Sequence, residues 1–168
     1  AELAAALDFL RSADAQGLMV RIVLSRGVYA LGGGTTLAFD GLTASEVSVE
    51  GEEGGEGIVI DASPAVDRRR RLGGGTASPH AAIVVGGGSH VHLKRLTLQG
   101  SRGAPLINAS DGWLRLSECT LRGTADASAL VLSAPGATVD VVQSAFEDNA
   151  FAGGSGGAVA AYAGTLNA

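Results

Sequence analysis

The chain has 168 residues, 46% of them apolar, with 26 glycines, 4% aromatics and a formal net charge of −5. That size and apolar content suit one folded domain with its own core and exclude a disordered chain. The acidic balance argues against a nucleic-acid partner, and no apolar run approaches the roughly 18 residues of a membrane-spanning helix. Cys119 is the single cysteine, so there is neither a disulfide framework nor a multi-cysteine metal site.

Residues 2–15 are predicted to form a helix. Leu3, Ala6, Leu7 and Leu10 share one helical face, and Gly17 supplies a stop. Met19 to Leu24 alternates as a strand, and Arg26 to Tyr29 reads as the turn that follows it. After Gly32–Gly34, strands are expected over 35–39, 46–50 and 57–61, with an acidic glycine loop carrying Glu52, Glu53 and Glu56. Residues 62–79 break this rhythm with Pro64, the run Arg68, Arg69, Arg70, Arg71, three glycines and Pro79. They read as a surface insertion. An apolar run from Ala82 to Val85 then restores the pattern.

From residue 91 the chain repeats itself. The blocks 91–100 and 114–123 align without a gap, and a looser copy occupies 139–148. Their starts at Val91, Leu114 and Val139 lie 23 and then 25 residues apart. A second short apolar run follows each block, at Leu106–Ile107, Ala129–Leu132 and Ala158–Ala160. Such a unit cannot bury its apolar face alone and must stack on its neighbours. Alternation places Val91, Leu93, Leu96 and Leu98 inward over Leu114, Leu116, Cys119 and Leu121, then over Val139, Val141, Ser144 and Phe146. The outward set aligns His92 with Arg115 and Asp140, Arg95 with Glu118 and Gln143, and Gln99 with Arg122 and Glu147. No adjacent pair carries two like charges, as in-register parallel stacking requires. With no helical pattern between strands, the predicted fold is an all-β solenoid, a right-handed parallel β-helix with an N-terminal capping α-helix. It forms one domain over 1–168: a cap at 1–17, first coils at 18–61, an insertion at 62–79 and regular coils at 80–168. The last residues begin another coil, which predicts further coils or a partner at that end.

The sequence Phe146-Glu-Asp-Asn149 followed by Gly156, Gly157, Ala158 and Val159 resembles the paired FxxN and GGA[I/L/V] signature of polymorphic outer-membrane protein repeats. Fragments of it recur at 121–123 and 103–106. The first half, with Arg26 to Tyr29 after an alternating strand, is similar to the start of many pectate-lyase-like β-helix domains. The resemblance implies an extracellular or cell-surface protein in adhesive or structural work. The residues alone give the motif a structural reading. Asn149 at a corner adopts positive φ and bonds neighbouring backbone, Phe146 fills the core, and Gly156 and Gly157 permit a tight turn.

Three functions fit. The first is a non-catalytic surface or secreted module with a structural, adhesive or glycan-binding role, its partners polysaccharide or other surface proteins. The second is a polysaccharide lyase or hydrolase. The third is a subunit of an extracellular assembly through end-to-end stacking. Lyases and hydrolases require clustered or suitably spaced carboxylates. The row His92, Arg115, Asp140 is the nearest approach and lacks a second acid, so no catalytic residue is assigned. The row and the arginine run 68–71 are the candidate ligand-binding groups. His90 and His92 share one side of a strand, but two imidazoles do not make a metal site, and no metal or other cofactor is expected. Asn108 opens an N-glycosylation sequon ending at Ser110, relevant to a eukaryotic secretory route. Cys119, inside the stack, is expected to act as a small hydrophobe.

Overall fold

A computed structural model describes residues 2–31, 35–53, 57–63, 80–151 and 157–168. The arginine run 68–71, Glu56, Gly156 and the glycine triplets at 32–34 and 73–75 lie outside the described residues.

The chain is a parallel β-helix of about five turns. Each full coil contributes three strands. They are β1 Met19–Leu24, β2 Gly27–Ala30 and β3 Leu37–Phe39; then β4 Glu46–Gly51, β5 Ile58–Asp61 and β6 Ile83–Val85. The third coil holds β7 His90–Lys94, β8 Thr97–Gln99 and β9 Ile107–Ala109. The fourth holds β10 Gly112–Ser117, β11 Thr120–Arg122 and β12 Leu130–Leu132. The fifth holds β13 Ala137–Val142, β14 Ala145–Glu147 and β15 Val159–Ala161, and β16 Thr165–Asn167 begins a sixth. Three all-parallel sheets result. The first is six-stranded, in the order β1-β4-β7-β10-β13-β16, and two five-stranded sheets run β2-β5-β8-β11-β14 and β3-β6-β9-β12-β15.

The register follows the sequence alignment. Leu93 lies beside Leu116 and Leu116 beside Val141; Leu98, Leu121 and Phe146 form the equivalent column in the second sheet. Leu93, Leu98, Leu114, Leu116 and Leu121 are fully buried, while Val141 and Phe146 in the fifth coil are only partly covered. The expectation that Phe146 fills the core is therefore met in part.

Three local expectations are corrected. The helix is shorter than 2–15: α1 spans Glu2–Leu10, and a separate 3-10 helix covers Ala13–Ala15. Ser12 Oγ donates to the Phe9 carbonyl, a local bond that competes with helix continuation. The buried Leu7, Leu10 and Ala15 still join the solenoid core. Residues 26–29 are not a turn, because Gly27–Ala30 forms β2. The strand expected at 35–39 is confined to Leu37–Phe39. Each ten-residue block is also bent into two strands. Arg95, Glu118 and Gln143, aligned outward in the sequence, occupy this bend in the left-handed region, with φ of 54°, 55° and 49°.

Gly51 is the equivalent corner residue one coil earlier, and a Cβ there would run into the Arg95 carbonyl oxygen and Ile58. Arg95 uses that closeness, donating from Nε and Nη2 to the Gly51 carbonyl at 3.0 and 2.9 Å. Asn149 bonds backbone as expected, but the positive φ belongs to its neighbour Asp148, at 50°. The Asn149 amide donates to the Leu121 carbonyl at 2.9 Å and accepts from Thr124 N at 3.1 Å, stitching the fifth coil to the fourth. Gly157 is needed for close approach, since a Cβ there would meet the Asn149 carbonyl oxygen. Ala158, the next residue of the motif, accepts a backbone bond from Leu130.

Because Leu116 is enclosed by coils on both sides, Leu116→Ala should lower the unfolding free energy by about 2–5 kcal/mol. Arg115→Ala, on the opposite side of the same strand, should change it by less than about 0.5 kcal/mol. Urea denaturation followed by circular dichroism measures both.

Candidate functional site

Alternation along the six-stranded sheet turns half of each strand's side chains away from the core. Parallel register then sorts these outward residues into rows about 4.8 Å apart from strand to strand. The middle row reads Arg21, Ser48, His92, Arg115, Asp140, Asn167. The row beside it contains His90, Trp113 and Thr138 in register. The predicted set His92, Arg115 and Asp140 is thus brought together on three adjacent strands.

Sequence reasoning missed Trp113, the single tryptophan of the chain. Its indole Nε1 donates to Asp140 Oδ2 at 2.9 Å, and its ring lies 6.1 Å from that of His90, tilted by 55°. The other carboxylate oxygen of Asp140 accepts from Asn167 Nδ2 at 2.7 Å. Asp140 therefore does not pair with Arg115, although the two are register neighbours. The Arg115 side chain is exposed, and no ion pair or hydrogen bond holds it among the described residues. The result is a half-buried indole, fixed at its polar edge and bordered by a free guanidinium.

His92 is half-buried, and its Nε2 lies 3.0 Å from Ser117 Oγ. Burial pushes the imidazole pKa below its ordinary value, and the Arg115 charge lowers it further. A neutral imidazole beside a hydroxyl has the parts of a nucleophilic pair. Two features argue against that role. Ser117 is 7% exposed, and no hydrogen bond to the second ring nitrogen orients the imidazole among the described residues.

The other end of this face is a structural charge cluster. Glu50 accepts from Arg21 at 2.9 Å and Ser48 at 2.7 Å, with Arg95 at 3.4 Å. The Arg21 and Ser48 hydrogen bonds hold its carboxyl below the usual glutamate range. No group of three or more His, Cys, Asp or Glu side chains among the described residues could hold a metal.

The remaining candidates separate from this face. Asn108 lies within β9, in the third sheet, where its Oδ1 accepts from Ser133 Oγ at 3.0 Å. Cys119 is buried, and desolvation pushes its thiol up to about 11. No protein-family model, curated protein or solved structure matches the chain.

Two pH effects follow. The depressed imidazole of His92 leaves the unfolded chain to take up the proton first as pH falls below about 6.5. Stability should therefore decline from that pH down to the folded-state value, and Arg115→Ala should raise the His92 midpoint. Glu50 acts at lower pH: its contribution is complete above the ordinary glutamate value and is lost as pH falls through its depressed one. Imidazole titration by NMR tests the first effect. Denaturation of Glu50→Gln across the acid range, expected to show a shallower acid loss, tests the second.

Proposed function

We propose that this chain is a non-catalytic, extracellular or cell-surface β-helix module that binds glycan across the outward face of its six-stranded sheet. The observation that carries the reading is Trp113, turned away from the core and anchored by Asp140. An indole offers an apolar surface to the C–H face of a sugar ring, while nearby polar groups meet the hydroxyls. Arg115, His90 and Asn167 are those groups. Arg115 also suits a ligand carboxylate or sulfate, because its charge is not already neutralised. Resemblance of the segment 146–159 to polymorphic outer-membrane protein repeats supports a surface location and adhesive work.

The spacing of acids weighs against the lyase or hydrolase alternative. Glu50 and Asp140 belong to β4 and β13, three strand intervals apart, or about 14 Å at the usual interval. That exceeds the roughly 6.5–9.5 Å used by inverting glycosidases. Glu50 is also engaged by Arg21 and Ser48.

Because Trp113 is the sole indole, its fluorescence reports ligand contact directly. Titration with neutral and acidic oligosaccharides chosen from a glycan array should shift its emission. Trp113→Ala should weaken binding at least about tenfold, or ~1.4 kcal/mol. Arg115→Gln should weaken acidic ligands selectively. Full affinity in Trp113→Ala, or no binding anywhere on the array, would overturn the proposal. Release of reducing ends or unsaturated sugars would favour the enzyme.

A further inference from the structure

The middle of the six-stranded sheet lacks acids, although the chain is rich in them. Asp and Glu outnumber Lys and Arg by 17 to 12 over the whole sequence. On the two central strands, β7 and β10, alternation turns His90, His92, Lys94, Trp113, Arg115 and Ser117 outward. None of these is an acid, two are cations and two are imidazoles. The flanking strands differ: β4 carries Glu46 and Glu50, and β13 carries Asp140.

Glu50 and Asp140 are occupied. Glu50 accepts from Arg21 and Ser48. Asp140 gives one carboxylate oxygen to the Trp113 indole and the other to Asn167. Lys94 reaches Glu118 at 3.8 Å. Arg115 is exposed and has no such counter-charge among the described residues. Its register neighbour on β13 is the acid Asp140, and on β7 it is His92. An anion on Arg115 therefore meets no like charge on the β7 side. It lies there beside a half-buried imidazole. One ring nitrogen of His92 is 3.0 Å from Ser117 Oγ, and the other has no partner among the described residues.

We propose that Arg115 and His92 form an anion subsite, which takes the carboxylate or sulfate of an acidic glycan and gains one proton on His92 as it fills. The sugar rests on the glycan-binding reading above; the anion and its proton do not. A guanidinium offers two parallel N–H donors to either anion. In the empty subsite, burial and the Arg115 charge both oppose protonation of His92. Lys94 opposes it too, while Glu50 and Glu46 favour it, and these three stay in place whether or not the subsite is filled. A bound anion cancels the Arg115 contribution, so protonation of His92 becomes easier. By linkage, the anion then binds the protonated form more tightly. Affinity for an anion of fixed charge rises as pH falls below about 6.5, the ordinary histidine value. The rise is at most about tenfold per pH unit for one proton.

Sodium sulfate, at constant ionic strength, tests the anion without the sugar. Imidazole NMR of the intact chain should show the His92 midpoint rising as sulfate is added. Arg115→Gln should abolish that rise. Tetragalacturonate, followed by Trp113 emission, tests the glycan. It should bind at least about threefold tighter at pH 5.5 than at pH 7.5. His92→Gln should lose this difference, with circular dichroism confirming its fold at both pH values. A His92 midpoint unmoved by sulfate would overturn the proposal. So would a rise that persists in Arg115→Gln, or a pH difference that persists in His92→Gln. Tetragalacturonate bound equally at both pH values would overturn the proton uptake and leave the glycan reading standing. A midpoint that rises with sulfate while no oligosaccharide binds would support the anion subsite and overturn the glycan reading.

Discussion

Everything in this molecule depends on equivalent side chains of successive coils lying one above another in register. A single coil has too little apolar surface to hold itself together, and its inward residues are covered only by those of the coils on either side. The columns through Leu93, Leu116 and Val141, and through Leu98, Leu121 and Phe146, satisfy that requirement. A slip of one residue would turn every column inside out, placing Arg115 where Leu116 now packs. The hydrogen-bond ladders and the core thus enforce the same alignment. Burial marks the result: the fourth-coil members of both columns are fully enclosed, whereas their fifth-coil counterparts are not.

Corners complete the alignment by different chemistry at each level. Gly51 makes room for the Arg95 backbone above it, and the Arg95 side chain then bonds to Gly51 in return. One coil further on, Glu118 takes the same left-handed conformation as Arg95. Elsewhere Asn149 replaces a backbone ladder with its side-chain amide, joining coils where the chain leaves the sheet. The solenoid tolerates such variety because the corner needs only a compatible φ and satisfied polar groups.

The coiling is legible from sequence because three blocks keep their apolar positions in step. The bend within each block is not, since Arg95, Glu118 and Gln143 are not the residues that usually announce positive φ. β2 reads as a turn because Arg26-Gly27 looks like punctuation, yet the glycine begins a strand. At the candidate site, the row His92, Arg115, Asp140 emerges from the alignment itself. Trp113 does not, because the aligned blocks start at Val91 and Leu114, one residue past His90 and Trp113. Nor can spacing reveal that Asp140 turns to the indole and Asn167 instead of Arg115; that choice depends on side-chain direction.

The enclosure of Cys119 has a practical corollary. Its sulfur sits among Leu93 and Ser117 carbonyls, and desolvation keeps the thiol protonated well past neutrality. Alkylating reagents consume thiolate, so they should find almost none until the fourth coil opens. The rate of covalent labelling at this one sulfur then becomes a clock for how often the middle of the solenoid breathes, readable by mass.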